Sequence, residues 1–420
     1  MTPEMKLLNK TWDFRQLDQK DWTPCEIPGF VHKILFENGT IPPLYYSQNE
    51  PTLQWIGEKD WVFKCIFDVD SIMLLRKKIE LQFARLDTYA KLSLNGTLLG
   101  ETNNAFRTWK FECKQLLKAS GNELIVHFTS TQRKSQEIYQ KLPTALPGEI
   151  RVVSRKPQFH FGWDFGPKYI TMGFGTCPSL IAYDDVMIEN LRINTLQLKK
   201  THADLELVLD GQSNSLTPYE INIDFGSTKV TRKVWFSPAF REYRLKFKIK
   251  NPELWWPNGS GKAKLYDVKI TCKDTLQNTL YESNIVTGIR TISLVHKPDK
   301  WGKSFYFLVN NKPVFSKGAN YIPRDLFQTS EDSANLLLED LQKCNFNMIR
   351  IWGGGQYETD QFYSKCDQLG LLVWQDFMFA CGMYPGDQDF MENVRLEAEE
   401  QVKRISAHPC VAIWCGNNEN

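Results

Sequence analysis

Over residues 1–185 apolar and polar positions alternate in the way that predicts β-strands. Ile79, Leu81 and Phe83 alternate with polar neighbours, and apolar residues at every second position form one face of a strand. Asn95 and Gly96 follow another alternating run, and this pair is the strongest short-range signal of a hairpin. Many short strands separated by turn residues predict a jelly-roll-like β-sandwich over residues 1–185.

A second β region, residues 186–296, has the length of an immunoglobulin-like sandwich, which is about 100 residues. Ile221, Ile223 and Phe225 form one face with a period of two, and residues 243–249 contain another. The Cys–Trp–Cys spacing of a true immunoglobulin domain is missing from this region. The pattern therefore predicts an immunoglobulin-like sandwich architecture and not a true immunoglobulin domain.

After about residue 297 the pattern changes to alternating strands and helices. The apolar spacing predicts strands over residues 312–320, 347–352, 371–376 and 411–414, with helices over residues 331–344, 359–369 and 391–405. Strand–helix alternation of this kind indicates parallel βαβ units.

A doubly wound sheet and a (β/α)8 TIM barrel both begin in this way. A barrel needs roughly 250 residues, and residues 312–420 supply 109, enough for four strands of the eight. We therefore expect residues 297–420 to form the amino-terminal half of a barrel, and the sequence to stop within that domain. The expected fold is a multidomain β plus α/β protein.

The length and charge of the chain exclude several classes of protein. A chain of 420 residues is longer than a single hydrophobic core usually supports, and this length agrees with three domains. Lysine and arginine total 51 against 49 acidic residues, and the formal net charge of +2 lacks the basic excess of a nucleic-acid-binding protein. No apolar run approaches the roughly 18 residues of a membrane span. We expect neither nucleic acid nor a membrane as a partner.

Aromatic residues make up 13% of the chain, with 13 tryptophans. A buried tryptophan needs a partner for its N–H group, which makes it a demanding core residue. Large β-sandwiches account for this content, and so does sugar binding, in which flat rings cover the apolar faces of pyranoses. The composition leaves both explanations open.

The cysteines and the amino terminus bear on the compartment. The ten cysteines are scattered without a C-x-x-C pair, a pattern of neither a zinc ribbon nor a small disulfide scaffold. The first residues, MTPEMKLLNKTWDF, contain no apolar stretch of signal-peptide length. We expect a cytoplasmic location ahead of a lysosomal or secreted one, and we expect no metal site.

The candidate chemistry lies at the carboxyl ends of the predicted parallel strands, where function is located in parallel α/β folds. These ends carry Asn320, Tyr321, Arg350, Trp352, Asp376, Asn417, Asn418 and Glu419. Three glycines, residues 353–355, follow the second strand, but their spacing fits neither common nucleotide-binding motif. They predict a tight turn in which the backbone passes close to a neighbour or a ligand.

The same strand ends indicate a sugar site. A glycosidase needs a carboxylic acid to protonate the leaving oxygen and a second carboxylate to attack the sugar or activate water. Glu419 beside Asn418 supplies an acid next to an amide. Taken alone, such a pair at the end of a sequence is a solvated terminus, but the four strand ends together favour a site.

Several long motifs resemble those of the β-mannosidases of glycoside hydrolase family two. In the predicted barrel these motifs are KGANYIPRD (317–325), IRIWGGGQYE (349–358), WQDFMFAC (374–381) and WCGNNEN (414–420). In the two predicted sandwiches, GWDFGP (162–167) and LWWPNG (254–259) resemble signatures of the same family. The resemblance covers essentially the whole chain, with β-galactosidases and β-glucuronidases as alternatives within the family.

The resemblance implies roles for four residues of the predicted barrel. Glu419 matches the general acid/base of the family, and Asn418 matches the amide that contacts the sugar 2-hydroxyl. Arg350 matches the arginine that supports the nucleophile. Trp352 matches a ring that lines the subsite of the scissile mannose.

The resemblance also implies a contribution from the first sandwich. Trp163 and Asp164, with Phe165 beside them, match a loop that reaches into the barrel mouth to bind the mannose. An aromatic-filled turn between strands is the alternative. Two positions depart from the family pattern. Phe165 occupies a position where the family commonly has tryptophan, and Tyr321 occupies the position after the asparagine, where the family usually has tryptophan. Both residues are still aromatic, so these departures bear on the shape of the pocket more than on its existence.

The nucleophile of the family is a glutamate at the end of the seventh strand, and no glutamate of this sequence matches it. One hypothesis is an enzyme of β-mannosidase type that removes terminal non-reducing β-D-mannose from oligosaccharides with retention and without a cofactor. Its nucleophile would come from a downstream segment or a complementary carboxyl-terminal chain, so that this chain alone would be weakly active or inactive. The other hypothesis is an inactive carbohydrate-binding or partner-dependent half of a split enzyme. A downstream segment with four more βα units and a strand-end glutamate would distinguish the two.

Overall fold

The computed structural model describes residues 2–9, 12–215, 217–226, 228–327 and 332–420, without the side chains of residues 332 and 333. Antiparallel sheets occupy the chain up to about residue 314, and a parallel sheet with helices follows. Within these ranges no helix combines the length and the apolar character needed to cross a lipid bilayer.

The described residues of the first region form fifteen strands and five short α-helices. The strands are β1 Glu4–Leu7, β2 Trp12–Gln16, β3 Thr23–Cys25, β4 Gly29–Phe30, β5 Trp61–Phe67, β6 Lys78–Phe83, β7 Leu86–Asp87, β8 Tyr89–Leu94, β9 Thr97–Asn103, β10 Trp109–Glu112, β11 Asn122–Phe128, β12 Phe161–Trp163, β13 Gly166–Lys168, β14 Gly173–Phe174 and β15 Ser179–Tyr183. The helices are α1 Val31–Glu37, α2 Asn49–Thr52, α3 Trp55–Glu58, α4 Ser71–Leu74 and α5 Thr131–Tyr139, with 3₁₀ turns at Lys114–Leu116, Glu149–Val153 and Gln158–His160.

Two antiparallel sheets of the first region form a sandwich. One has the order β3-β2-β5-β11-β8-β9, and the other has the order β1-β15-β6-β10. Ile79, Leu81 and Phe83 are buried while their neighbours on β6 are partly exposed, so the predicted alternation is confirmed. These side chains share one apolar core with Trp12 and Phe63 of the facing sheet. Burial of one face of each sheet therefore holds the two sheets of this region together.

The second region is a smaller sandwich, in which seven strands lie within the part of the chain that the structure describes. They are β16 Met187–Leu198, β17 His202–Gln212, β18 Tyr219–Asp224, β19 Lys229–Val234, β20 Arg241–Lys250, β21 Tyr266–Lys273 and β22 Thr279–Thr287. The sheets β16-β17-β20 and β19-β18-β21-β22 enclose a core that includes Leu207, Ile221, Ile223 and Val268. The predicted period-2 face of β18 is confirmed.

The third region combines short antiparallel strands with a parallel α/β unit. The strands are β23 Ile292–Val295, β24 Pro298–Asp299, β25 Gly302–Lys303, β26 Tyr306–Val309, β27 Lys312–Val314, β28 Gly318–Tyr321, β29 Met348–Ile351, β30 Leu372–Asp376 and β31 Val411–Cys415. The helices are α6 Asp332–Lys343, α7 Asp360–Leu369 and α8 Gln388–Ile405. Strands β28-β29-β30-β31 form a parallel sheet in that order, which confirms the predicted βαβ units. The barrel and the domain boundaries at residues 185 and 296 stay predictions.

The single strand predicted over residues 312–320 is wrong. Strand β27 pairs with β26 in an antiparallel hairpin, and β28 pairs with β29 in the parallel sheet. Between them, the side chain of Asn347 accepts a hydrogen bond from the Lys317 N–H at 2.7 Å and donates one to the Phe315 carbonyl at 2.9 Å. An amide side chain from a distant residue thus satisfies the backbone at the break, and the local apolar pattern carries no sign of it.

A buried ion pair joins the first region to α8. The Arg155 guanidinium donates from Nε and Nη2 to the Glu397 carboxylate at 2.9 and 2.6 Å, and both side chains are 1% exposed. Tyr357 and Asn104 donate to the same carboxylate at 3.1 and 2.9 Å. The core of the first sandwich also continues into Trp352 of the α/β region. The two regions are therefore held in a fixed relation at the carboxyl ends of the parallel strands.

Candidate active site

The parallel sheet brings the predicted strand-end residues to one edge. Asn320 on β28 lies opposite Arg350 on β29, and Arg350 lies opposite Trp374 on β30. Partners in register point to the same side of a sheet. The sequence-predicted residues of the first three strands therefore converge.

Arg350 is the centre of a network that links three strand ends. Its Nε and Nη2 atoms donate to Asp376 at 3.2 and 2.6 Å. Nη2 also donates to Asn418 Oδ1 at 2.9 Å, and Nη1 donates to Asn320 Oδ1 at 3.4 Å. One guanidinium thus orients Asn418 on the fourth strand end and fixes the position of its amide.

Asp376 is a structural carboxylate. It is fully buried, and besides Arg350 it accepts hydrogen bonds from Trp374 Nε1 at 3.0 Å and from the Gly353 N–H at 3.1 Å. Each of its oxygens therefore has two donors. A carboxylate with its lone pairs occupied in this way has no free oxygen for attack on a sugar.

Glu419 lies four residues beyond β31, on a segment that is tied back to the loop after β30. The Asn418 N–H donates to the Phe379 carbonyl at 2.9 Å, and the Cys381 N–H donates to the Asn418 carbonyl at 2.9 Å. The Glu419 side chain is exposed, and its Oε2 accepts from Cys381 Sγ at 3.0 Å and from Asn418 Nδ2 at 3.4 Å. Glu419 and Cys381 both have positive φ values, 57° and 48°, a conformation that is rare outside glycine and is found at functional sites.

The β12–β13 hairpin of the first region reaches the same edge. The Trp163 ring lies 4.9 Å from the Trp352 ring, centroid to centroid, at 73°, and the Phe165 ring lies 5.6 Å away. Asp164 is exposed at the turn between the two strands. The Lys168 N–H donates to the Glu50 carboxylate at 2.8 Å, which anchors the base of the hairpin. Aromatic rings from two regions therefore meet beside an exposed carboxylate.

The three glycines after β29 allow close packing around Trp352. A Cβ atom on Gly354 would lie 1.9 Å from the Trp352 ring, and one on Gly353 would lie 2.5 Å from the Phe379 carbonyl. The Gly354 carbonyl also accepts from the Phe159 N–H at 3.0 Å. These contacts agree with the predicted tight turn against a neighbour.

Sequence reasoning missed two residues of this edge. Arg151 donates to the carbonyls of Ala380 and Cys381 at 2.7 and 2.5 Å, and its Cζ atom lies 5.0 Å from the centre of the Trp163 ring. Arg151 belongs to a 3₁₀ turn, which has no periodicity that would signal it. Cys381 is the last residue of the motif WQDFMFAC, but nothing in the sequence indicates its contact with Glu419.

The geometry brings Arg350, Trp352, Asn418 and Glu419 together with the hairpin. Among the described residues, no group of three or more histidine, cysteine, aspartate or glutamate side chains is arranged to hold a metal ion. The arrangement offers an exposed carboxylate, an oriented amide and an aromatic surface. These groups can bind a ring that carries polar substituents and can transfer a proton to or from it.

Two family models match the chain. "Glycosyl hydrolase 2 galactose-binding domain-like" matches residues 12–175, and "Glycosyl hydrolases family 2" matches residues 186–290.

Known proteins are similar over nearly the whole chain. A β-mannosidase of Capra hircus is 35% identical, covering 94% of this chain and 48% of its own length. β-Mannosidase B of Thermothelomyces thermophilus is 34% identical, covering 100% of this chain and 50% of its own length. The crystal structure of a β-D-mannosidase from Dictyoglomus thermophilum superposes with a TM-score of 0.96 at 36% identity, covering 99% of this chain and 52% of that one. The chain thus spans about half the length of the curated relatives it matches.

Proposed function

Because the chain belongs to glycoside hydrolase family two, we propose that it carries the acid/base half of a retaining β-mannosidase site. Its substrate is a terminal, non-reducing β-D-mannoside of an oligosaccharide. Glu419 is the general acid/base. The fold proposed with it is a jelly-roll-like sandwich to residue 185, an immunoglobulin-like sandwich to residue 296 and then half of a (β/α)8 barrel.

One observation supports this function above the others. The exposed Glu419 carboxylate lies beside Asn418, and the opposite end of the Asn418 amide is held by Arg350. An acid that reaches solvent next to an amide of fixed orientation can address a glycosidic oxygen and a ring hydroxyl at the same time. The similarity of the chain to β-mannosidases gives the sugar its identity.

The chemistry proceeds in two steps. In the first step, a nucleophilic carboxylate attacks the anomeric carbon while Glu419 gives its proton to the leaving oxygen, so that the glycosidic bond breaks and the aglycone leaves as an alcohol. In the second step, Glu419 removes a proton from water, the water oxygen attacks the anomeric carbon, and the bond to the nucleophile breaks. Two carboxyl groups about 5–5.5 Å apart are required.

The nucleophile is proposed to come from the half of the relatives' length that this chain does not span. Asp376, the carboxylate bonded to Arg350, is buried with both oxygens occupied. It therefore supports Arg350 rather than attacking the sugar. The supplying segment is proposed to complete the barrel and to pair with the outer edges of β28 and β31. No described strand pairs with those edges.

The remaining site residues are proposed to bind the mannose. Trp352 and Trp163 provide an aromatic wall, with the exposed ring of Phe165 extending it outward. The exposed Asp164 carboxylate accepts hydrogen bonds from sugar hydroxyls, and Asn418 contacts the 2-hydroxyl. Aromatic faces with a few oriented polar groups are the usual composition of a sugar pocket.

The test is hydrolysis of 4-nitrophenyl β-mannoside by the 420-residue chain, alone and mixed with the carboxyl-terminal half of a relative. We expect little or no turnover by the chain alone and turnover on mixing, lost in Glu419→Gln. Glu399→Gln, on the exposed face of α8, is the matched control and should retain activity. Robust turnover by the lone chain would show that a nucleophile is present in it. Turnover by the mixture that survives Glu419→Gln would show that the acid/base is another residue.

A further inference from the structure

Cys381 contacts the Glu419 carboxylate through its thiol. Its Sγ lies 3.0 Å from Glu419 Oε2, and Asn418 Nδ2 donates to the same sulfur at 3.4 Å. A thiol is a weak donor and a weak acceptor, so both contacts can be made at once. The sulfur therefore lies between the two polar side chains of the proposed acid/base segment.

The backbone on both sides of Cys381 is fixed. Its N–H donates to the Asn418 carbonyl at 2.9 Å, and its carbonyl accepts from Arg151 Nη2 at 2.5 Å. Arg151 also holds the preceding carbonyl, that of Ala380, at 2.7 Å. These bonds hold Cys381 in its left-handed conformation, with φ of 48°. The position of the sulfur is therefore set by hydrogen bonds from two regions of the fold.

A cysteine is often a small core residue without a polar role. Cys272 and Cys366 are of that kind, since both are fully buried within apolar clusters. Cys381 differs because it is only partly buried and its sulfur contacts a carboxylate and an amide. Cys381 packs against the apolar core of the first region, but that packing does not account for the two polar contacts of its sulfur.

We propose that Cys381 is a positioning residue for Glu419: its S–H group donates to one carboxylate oxygen and leaves the other free for the glycosidic oxygen or for water. This inference rests on the proposed function, because it concerns the same carboxylate. The contact restricts the rotation of an exposed side chain, which otherwise samples several rotamers. A fixed carboxyl group protonates the leaving oxygen more efficiently.

The protonation of the thiol agrees with a donor role. Burial, then the hydrogen bond and the charge of Glu419, raise the pKa of the Cys381 thiol above its usual value. The thiol therefore keeps its proton at neutral pH and remains able to donate. The same effect makes it a poor nucleophile toward alkylating reagents.

The first test needs no turnover and uses the 420-residue chain. The rate of iodoacetamide alkylation at Cys381 is followed against pH by peptide mass spectrometry, in wild type and in Glu419→Gln. We expect the Cys381 profile to move to lower pH in Glu419→Gln, because the carboxylate charge is lost while the shape is kept. The exposed Cys344 is the internal control and should react identically in both proteins. An unchanged Cys381 profile would overturn the inference.

The second test uses the chain mixed with the carboxyl-terminal half of a relative, as in the test of the proposed function. Cys381→Ala should lower kcat/KM for mannobiose, whose leaving group needs protonation, by about 3- to 10-fold, the effect of one lost hydrogen bond. It should lower kcat/KM much less for 2,4-dinitrophenyl β-mannoside, and Cys381→Ser should recover most of the loss. An equal loss with both substrates would show that Cys381 has only a structural role.

If Glu419→Gln abolishes turnover while the pH profile of Cys381 alkylation is the same as in wild type, this inference fails and the proposed function stands. If turnover survives Glu419→Gln, the proposed function itself fails.

Discussion

Replacing Glu397 by glutamine tests how strongly the first sandwich is locked to the parallel sheet. The Glu397 carboxylate accepts four hydrogen bonds, two of them from Arg155, and both partners are 1% exposed. Burial is the largest influence on the pKa of the Arg155 guanidinium and lowers it, but the charge and the hydrogen bonds of Glu397, with Tyr357 and Tyr384, together raise that pKa above its ordinary value. A guanidinium is effectively always protonated in proteins, so Arg155 stays charged in Glu397→Gln although it loses its counter-charge.

The expected cost follows from that uncompensated charge. Breaking a buried ion pair by removing one partner costs about 3–5 kcal/mol. With a urea dependence of about 3 kcal/mol per molar, the midpoint should fall by about 1–1.7 M. The double variant Arg155→Met/Glu397→Gln should be less destabilised than Glu397→Gln alone. In that variant no charge is left unpaired, and the glutamine oxygen can still accept from Tyr357 and Asn104.

The assay is urea unfolding followed by far-UV circular dichroism, with hydrogen exchange of the α8 peptide to locate the loss. Glu399→Gln is the matched control on the same helix, since its partner Arg395 is about half exposed. An exposed pair of this kind contributes little to stability, so its midpoint should stay at the wild-type value. The reasoning is refuted if Glu397→Gln unfolds like Glu399→Gln, or if the double variant is no more stable than the single one.

Three further predictions concern the site and the first sandwich. Gly354→Ala places a Cβ atom 1.9 Å from the Trp352 ring and should cost about 1–3 kcal/mol of stability through overpacking. Gly386→Ala meets no atom within 4 Å and should be neutral in the same urea titration. Burial lowers the pKa of His32 to about 3. Below pH 6.5 the unfolded chain therefore binds a proton at this residue that the folded chain does not bind, and stability should fall by about 1.4 kcal/mol per pH unit. His32→Phe should remove this contribution and make the slope between pH 6.5 and 5 shallower, while His160, whose pKa is also lowered by burial, keeps its own contribution. An unchanged slope would contradict the assignment. Finally, Asp164→Ala should weaken binding of a mannose-like inhibitor in calorimetry, and equal binding would remove Asp164 from the site.

The sequence was sufficient for the elements whose side chains alternate between a core and solvent. Strand β6 and strand β18 follow the period of two that their apolar residues indicate. The helix α7 begins after Thr359, whose side chain accepts from the Phe362 N–H, and ends at Gly370 in the left-handed conformation. In each case the signal lies within a few residues of the element that it predicts.

The prediction failed where a distant residue decides the local structure. Asn347 takes over the backbone hydrogen bonds between β27 and β28. The segment 312–320, predicted as one strand, therefore becomes two strands in different sheets. A partner thirty residues away leaves no mark on the pattern of apolar positions, and only the folded geometry reveals the break.

The candidate site shows the same division between local and distant signals. Arg350, Asn418 and Glu419 could be selected because strand ends collect function in parallel α/β folds. Their supports, Arg151 and Cys381, could not, because a 3₁₀ turn and a loop carry no periodicity and their roles depend on contacts across two regions of the chain.

The proposed acid/base half of the site is held by contacts within this chain. Asn418 is held by Arg350 and by the Phe379 carbonyl, and Cys381 is held by Arg151 from the first region. None of these bonds involves the outer edges of β28 and β31, where the proposed complement would pair. On the proposed function, assembly and chemistry use different parts of the parallel sheet: the complement would pair with the outer edges of β28 and β31, while Glu419 follows the strand ends. Such a complement would have only to deliver its nucleophile, because the contacts that hold Asn418, Cys381 and the Trp163–Trp352 ring pair lie within this chain.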